Sequence, residues 1–300
     1  MPGLIINGVQ QIETPTNYRN TIKFLTVPPS CHTKAAFLST NVATIKALED
    51  PVRREIYDAM RGSAIETFTF ATRAIAEQHW QMRISTIEAM NRMTNQGPAN
   101  RRIDFDYFDN TDPMNLIPVQ EPGTMWRFGA NARTPFYFRA KPGVVSSAAL
   151  AQLESGTSRG ECLGAIRACF WIGARDALGN AAFNTMHPAG SLNLGVSDHR
   201  RNAIDPSVII PGDYLYMTNI ADYGILTNGK GFWNGENCVY MGKVMNVAKY
   251  SGLGLPLLTA AQLRGKLKAA YTRETKVPVT AARANREIIF NSVRRPSLAR

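Results

Sequence analysis

The chain has 300 residues, of which 44% are hydrophobic and 19% are charged. This length and composition allow one large domain or two modest ones with a real hydrophobic core, and they exclude a disordered chain. The apolar stretches are short, and the N-terminus has neither a basic region nor an apolar segment of the length that a secretory signal needs. We therefore expect synthesis in the cytoplasm, no Sec signal and no membrane span.

The formal net charge is +11, and most of it lies near the C-terminus. Residues 264–300 contain ten basic and two acidic residues, a net charge of +8, which leaves about +3 for the rest of the chain. A basic charge confined to one end does not favour a nucleic-acid partner. We expect residues 273–300 to form a peripheral basic arm, either solvated or docked on an acidic partner.

The cysteines are few and scattered, and none forms a CxxC pair; they are Cys31, Cys162, Cys169 and Cys238. This pattern excludes a disulfide scaffold and a cysteine zinc site, and it is typical of a protein from a reducing compartment. No metal ion and no other cofactor is predicted.

The first third of the sequence is predicted to be mostly helical. Asp50-Pro51 starts a short helix that ends near Gly62. Ser63-Ala-Ile-Glu66 is a capping-box pattern, and apolar residues then recur at helical spacing up to the Gly97-Pro98 breaker. The pattern predicts one long amphipathic helix, straight or kinked, from Ser63 onward.

The middle of the sequence changes from strands back to helices. Two strand-like segments, Thr124–Phe128 and Pro135–Ala140, flank a turn, and a helix follows over about Ser146–Glu154. After a flexible polar loop, Cys162–Leu178 repeats apolar residues at helical spacing and is closed by a Gly-Asn pair. Cys162 therefore stands in the first turn of a helix.

The last third predicts a small antiparallel sheet. Strands are expected at Tyr214–Thr218, Cys238–Met241 and Val244–Lys249, before a helix over about Thr259–Tyr271. Helices followed by such a sheet indicate an α+β fold. We predict a helical N-terminal elaboration over residues 1–75, a catalytic domain over 76–272 and the basic arm over 273–300.

Cys162 has the sequence context of a nucleophile. At a helix start, unpaired amides and the positive end of the helix dipole stabilise a thiolate, and the same amides can receive an oxyanion. The alternative is a small buried hydrophobic residue, which is the usual fate of a free cysteine. Cys169 and Cys238 fit that alternative.

A cysteine nucleophile needs a proton-transfer partner. No histidine begins a predicted strand, as a papain-type site would require; the four are His32, His79, His187 and His199. His79 fits a structural role, whereas His187 and His199, in a Pro/Gly-rich region, remain candidates. Glu236 precedes a strand beside Trp233, where partial desolvation raises the pKa of a carboxyl into a range useful for proton transfer. Glu161, adjacent to the cysteine, is an assisting or substitute group.

The sequence also resembles a known family. Its motifs occur in the family's order and approximate spacing across about Trp80–Tyr271; they are Gly160-Glu-Cys-Leu-Gly-Ala-Ile, Phe183-Asn184, Gly212-Asp-Tyr-Leu-Tyr-Met217, Trp233-Asn-Gly-Glu-Asn237, Val239-Tyr-Met-Gly242 and Gly252-Leu-Gly254. Together they resemble the spore-coat protein-glutamine gamma-glutamyltransferases of spore-forming bacteria. These are small transglutaminases whose fold is similar to that of NlpC/P60 and papain-like cysteine hydrolases. The resemblance implies a nucleophile-bearing helix packed on a small antiparallel sheet.

The resemblance also implies roles for individual residues. It maps the nucleophile onto Cys162, the principal base onto Glu236 and a partly redundant carboxylate onto Glu161. It implies a Ca²⁺-independent enzyme with a tunnel-shaped site, in which Trp233 and Asn237 contact the substrate. The implied activity crosslinks protein glutamine to protein lysine, in a spore coat or after export by a dedicated system.

Two positions depart from the family pattern. Ser251 stands where the family has a histidine before its Gly-Leu-Gly, and an expected tryptophan is missing near Ser197-Asp198-His199. Glu236-Asn237 replaces the strand-initial histidine of NlpC/P60 peptidases, and this replacement favours acyl transfer over peptide hydrolysis.

The alternative functions are a glutamine deamidase or amidase, including a delivered effector, and a non-catalytic coat or interaction protein with a vestigial site. The sequence determines neither the physiological substrate nor the oligomeric state.

Overall fold

A computed structural model describes residues 3–10, 52–94, 102–107, 121–129, 137–195, 200–205, 207–229, 231 and 233–298. The elements described in the first half are β1 (Gly3–Ile6), β2 (Val9–Gln10), α1 (residues 52–62), β3 (Thr67–Phe70), α2 (Arg73–Met93), β4 (Asp104–Tyr107), β5 (Trp126–Gly129), β6 (Tyr137–Ala140) and α3 (Ser146–Ser155). Those of the second half are β7 (Thr157–Gly160), α4 (Cys162–Met186), β8 (Arg200–Ala203), β9 (Tyr214–Thr218), α5 (Tyr223–Leu226), β10 (Gly235–Val244), β11 (Val247–Gly252), β12 (Leu255–Leu258), α6 (Ala260–Thr275), α7 (Ala281–Glu287) and β13 (Phe290–Pro296).

The two long helices, α2 and α4, pack against each other at the centre of the largest apolar core. Gly173 of α4 lies directly on α2, because a Cβ at this position would clash with the Met82 carbonyl. Met90 and Phe170 are among the side chains buried in this core. Close-packed interiors resist displacement, so this contact fixes α4 and with it the position of Cys162, its first residue.

The larger sheet has six strands in the order β12-β11-β10-β9-β13-β8, and all neighbouring strands are antiparallel. Successive side chains alternate between two apolar cores. Tyr214 and Val239 belong to the core around α4, whereas Leu215 and Cys238 belong to the core that α6 and α7 complete. The predicted α+β fold, with the cysteine-bearing helix packed on a small antiparallel sheet, is confirmed.

The long helix predicted from Ser63 is wrong at its start. Ser63 Oγ does accept a hydrogen bond from the Glu66 amide at 2.9 Å, but the following residues form strand β3, which pairs parallel with β1. Phe68 and Phe70 alternate with exposed threonines and are buried in a small core of the N-terminal region. Helix α2 begins only after Thr72, whose hydroxyl caps it. The serine stabilises a turn here, and the alternation of threonine and phenylalanine in the next four residues favours a strand over a helix.

Helix α4 extends beyond the predicted stop. Gly179 has φ 75° and ψ 158°, which interrupts the helix, but a second helical stretch continues to Met186. A glycine adopts this backbone conformation without a steric penalty, so the Gly-Asn pair produces a kink rather than an end. None of the described helices, α4 included, combines the length and apolarity that crossing a bilayer requires.

The prediction of a peripheral basic arm is wrong for strand β13. This strand lies between β9 and β8 inside the larger sheet, and its Val293 is 2% exposed. Its Arg295 is buried, forms an ion pair with Glu66 and lies 3.6 Å from Asp213. Asp213 also binds the fully buried Arg83 at 2.8 Å. The sequence shows that this segment is basic, but it does not show that Arg295 is buried or that the carboxylates of Glu66 and Asp213 compensate its charge.

We expect truncation after Thr275 to prevent stable folding, because it removes α7 and β13 and exposes the β9 edge and the apolar surface beneath them. Thermal unfolding followed by circular dichroism should show a large loss of melting temperature or no cooperative transition. The matched control ends at Leu298 and should unfold like the full chain. An unchanged melting curve for the shorter chain would instead support the interpretation of this segment as a peripheral arm.

Candidate active site

Cys162 is the first residue of α4 and is 9% exposed. Strand β7 leads into this helix and ends at Gly160. Gly160 packs so closely against the rings of Phe105 and Phe138 that a Cβ at this position would lie 2.9 Å from Phe138. Glu161 then adopts an extended conformation as the N-cap, and its side chain does not cap the helix. The first amides of α4 therefore remain available to a ligand beside the sulfur.

Glu236 lies near the start of β10 and is 4% exposed. Its carboxylate rests against Gly252 of the neighbouring strand, where a Cβ would overlap with Oε1. Among the described residues, none forms a hydrogen bond with this Oε1. A buried carboxylate oxygen without a partner is costly, so this position is built for a proton or a substrate group rather than for stability.

Burial raises the pKa of both carboxyl groups of the site. Burial raises the pKa of Glu236 to about 8, and a hydrogen bond from the Leu253 backbone amide opposes this rise. Burial also raises the pKa of Glu161, and the charge of Arg167 opposes it. Both carboxylates therefore retain protons at higher pH than they would in water.

The sequence prediction of a stabilised Cys162 thiolate is wrong for the resting site. Burial raises the pKa of the thiol well above its ordinary value, and the negative charges of Glu236 and Glu161 add to this effect. Hydrogen bonds from Asn237 act in the opposite direction. The helix N-terminus is present as predicted, but burial and two neighbouring carboxylates act against the thiolate.

Asn237, rather than Glu236, contacts the sulfur. Asn237 Nδ2 donates a hydrogen bond to Cys162 Sγ at 3.1 Å, and Tyr214 donates one to Asn237 Oδ1 at 2.6 Å. Tyr216 lies opposite Asn237 in the sheet, and burial and the charge of Cys162 raise the pKa of its phenol to about 12. Among the described contacts, no hydrogen bond joins Glu236 to Cys162. No role is predicted from the sequence for either tyrosine, although both stand in the Gly212-Asp-Tyr-Leu-Tyr-Met217 motif and share one face of β9.

The structure places Trp233 in the loop that precedes Glu236. Its backbone amide donates to the Tyr223 hydroxyl at 2.9 Å, and its carbonyl accepts from Asn219 Nδ2 at 2.8 Å. These bonds hold the loop on the core that contains α6. Contact of Trp233 with a substrate stays a prediction.

The described histidines lie away from the sulfur. His187 caps the far end of α4 and packs edge-on against Trp171, and His79 lies beside Phe70 in α2. Burial and the charges of Arg83 and Arg295 lower the pKa of His79 to about 3. His32 and His199, with the predicted tryptophan gap around residues 197–199, lie outside the described residues. Neither His187 nor His79 is placed to serve Cys162.

The other described cysteines and Ser251 have structural surroundings. Cys169 is buried 4.0 Å from the Met90 sulfur, and Cys238 donates to the Leu215 carbonyl at 3.6 Å. Ser251 accepts a hydrogen bond from the Leu257 amide at 2.9 Å. Among the described residues, no three His, Cys, Asp or Glu side chains are grouped as metal ligands.

Comparison with known protein families gives a match that covers most of the chain. A sequence profile of the protein-glutamine gamma-glutamyltransferase family matches residues 34–295. The chain belongs to this family. As a protein-glutamine gamma-glutamyltransferase, it is an acyltransferase that acts on protein substrates.

A solved structure shares the fold. Transglutaminase from Geobacillus stearothermophilus, without its C-terminal extension, is 18% identical and aligns with a TM-score of 0.52, covering 76% of this chain and 95% of that one. No curated protein sequence matches the chain significantly. The family match reaches into β13, so most of the segment predicted as an arm lies within the matched transglutaminase region.

Proposed function

We propose that this family member crosslinks protein glutamine to protein lysine through a thioester on Cys162. The observation that carries the proposal is the grouping of buried Cys162, Asn237 and Glu236 with half-buried Glu161, where β10 meets the start of α4. A nucleophile, a donor to that nucleophile and a carboxyl with a pKa near neutral pH are the groups that thioester chemistry requires.

In the first half-reaction, the Cys162 sulfur attacks the carboxamide carbon of glutamine while its proton passes to the Glu236 carboxylate. The first amides of α4 stabilise the negative oxygen that forms. The carbon–nitrogen bond then breaks, and the nitrogen takes the proton from Glu236 and leaves as ammonia. A thioester between Cys162 and the glutamyl group remains.

In the second half-reaction, a neutral lysine amine attacks the thioester carbon. Glu236 accepts the proton that the amine loses, the carbon–sulfur bond breaks, and the proton returns to the sulfur. Glu161 is the substitute carboxylate in both steps. Since the sulfur and Glu236 are buried, the site excludes water, and this favours the amine over hydrolysis.

The proposal includes independence from calcium. Every step above uses side chains of this chain, and the sequence contains no Asp/Asn/Gly pattern of a calcium loop. Chelation with EDTA should therefore leave the rate of amine incorporation unchanged within experimental error. Inactivation by EDTA that added Ca²⁺ reverses would contradict this part.

Incubation with a glutamine-containing protein and a dansylated primary amine tests the activity itself. We expect fluorescent protein and an equal amount of released ammonia. Ammonia without fluorescence would identify a deamidase, and neither product would identify a vestigial site. Pretreatment with iodoacetamide should abolish both products in step with alkylation of Cys162.

A spore-coat setting is the narrowest part of the proposal. Its support is the resemblance of the motifs around Cys162 and Glu236 to spore-coat members of the family. Fractionation of spores from the native organism should place the protein in the coat extract. Its recovery only from vegetative cells would contradict this setting.

A further inference from the structure

Among the described residues, the side chain of Asn237 donates a hydrogen bond to the Cys162 sulfur. Asn237 Nδ2 lies 3.1 Å from Sγ. Donors favour the thiolate, which is the reacting form of cysteine. Burial and two carboxylates oppose that form, and the hydrogen bond from Asn237 acts against them.

A carboxamide supports a thiolate only in one orientation. Its nitrogen is a donor and its oxygen an acceptor of nearly the same size, so rotation by 180° would point an acceptor at the sulfur. The Tyr214 hydroxyl lies 2.6 Å from Asn237 Oδ1 and donates to it. This contact holds the oxygen away from Cys162 and leaves the nitrogen facing the sulfur.

The sheet register produces this arrangement. Tyr214 lies opposite Val239 and Tyr216 opposite Asn237 in the antiparallel pair of β9 and β10. Tyr214 and Asn237 are therefore diagonal neighbours on one face, at a separation that a tyrosine side chain spans. That face packs against α4, whose first residue is Cys162.

We propose that Asn237 stabilises the Cys162 thiolate as it forms and that Tyr214 is a positioning residue that acts through Asn237. This inference rests on the proposed function, in which Cys162 is the nucleophile. It gives Asn237 a role at the sulfur in place of the substrate contact predicted from the sequence. Tyr214 reaches the site through its hydrogen bond to Asn237 Oδ1.

The rate of alkylation of Cys162 by iodoacetamide at fixed pH, measured by mass spectrometry of its peptide, tests the proposal. Loss of a hydrogen bond to a charged group corresponds to roughly a tenfold to hundredfold change, so Asn237→Leu should react at least about tenfold more slowly. Tyr214→Phe should react about threefold to tenfold more slowly, because the amide stays but loses its fixed orientation. The control Tyr250→Phe removes a buried hydroxyl from the same sheet and should match the wild type.

A double-mutant cycle separates action through Asn237 from a general structural effect. If Tyr214 acts only by orienting Asn237, then Tyr214→Phe should not slow alkylation further in the Asn237→Leu protein. Additive slowing would overturn the proposal, as would an equal effect of Tyr250→Phe. Faster alkylation of Asn237→Leu would show the reverse amide orientation and would also overturn it. If Asn237→Leu does not fold, Asn237→Ala removes the same donor without adding a charge.

Amine incorporation provides an independent readout. In an active enzyme, Tyr214→Phe should lower kcat with little change in KM, since the tyrosine affects the nucleophile rather than substrate binding. A raised KM with unchanged kcat would instead place Tyr214 and Asn237 in substrate binding and overturn the proposal. Alkylation does not require transfer, so a wild-type protein that incorporates no amine but shows the expected alkylation rates would refute the proposed function alone.

Discussion

Replacement of Cys162 by alanine is expected to abolish amine incorporation, because no thioester can form without the sulfur. Cys169→Ala and Cys238→Ala are the matched controls: both sulfurs are buried in apolar cores and should affect mainly the melting temperature. Incorporation of the dansylated amine, measured well below each variant's melting temperature, distinguishes the three. Loss of activity in Cys169→Ala with an unchanged melting curve would move the nucleophile elsewhere.

The Glu236→Gln enzyme is expected to lose about a hundredfold to ten-thousandfold in turnover, the usual contribution of a general acid or base. Glutamine keeps the shape and burial of the side chain, so the melting temperature should change little. Glu161→Gln alone should cost less. The double variant should be slower than Glu236→Gln, because a substitute carboxylate matters once the first is gone. Full activity of Glu236→Gln would leave His32 and His199, which lie outside the described residues, as the candidates for proton transfer.

The pH profile gives a second readout of the same residue. Glu236 accepts a proton in its carboxylate form, and burial raises its pKa to about 8. The rate of amine incorporation should therefore rise about tenfold per unit up to roughly pH 8 and level off above it. Glu236→Gln should lack this rise. A profile already flat from pH 5 would mean that Glu236 is ionised throughout and that its burial does not control the reaction.

The sequence placed the start of the Cys162 helix well because the signal was local. Helical spacing from Cys162 and the polar loop before it define a helix start, and the structure has both. The ionisation of Cys162 was predicted in the wrong direction because it depends on packing. The helix end is visible in the sequence, whereas desolvation and the approach of Glu236 come from a strand more than seventy residues away.

The Tyr214–Asn237 contact is a second feature that the sequence alone does not predict. Alternation along β9 predicts that Tyr214 and Tyr216 share a face, but only the register with β10 determines which of them meets Asn237. Ser63 illustrates the opposite failure. Its capping pattern was strong locally, yet Phe68 and Phe70 found partners in β1 and formed a strand. In both cases the deciding contact joins segments that are distant in the sequence.

The position of β13 has a consequence for how the protein is made. Strand β8 reaches β9 only through β13, which is synthesised after the five other strands of this sheet. Until Phe290–Pro296 has left the ribosome, β9 keeps an open edge and Arg83 and Asp213 lack their Arg295 neighbour. Pairings between distant segments form slowly, and an open edge invites association with other chains. The sheet that supports Glu236 and Asn237 is thus completed only when β13 is available to pair with β9, and an enzyme that crosslinks proteins keeps an open sheet edge until that strand has been made.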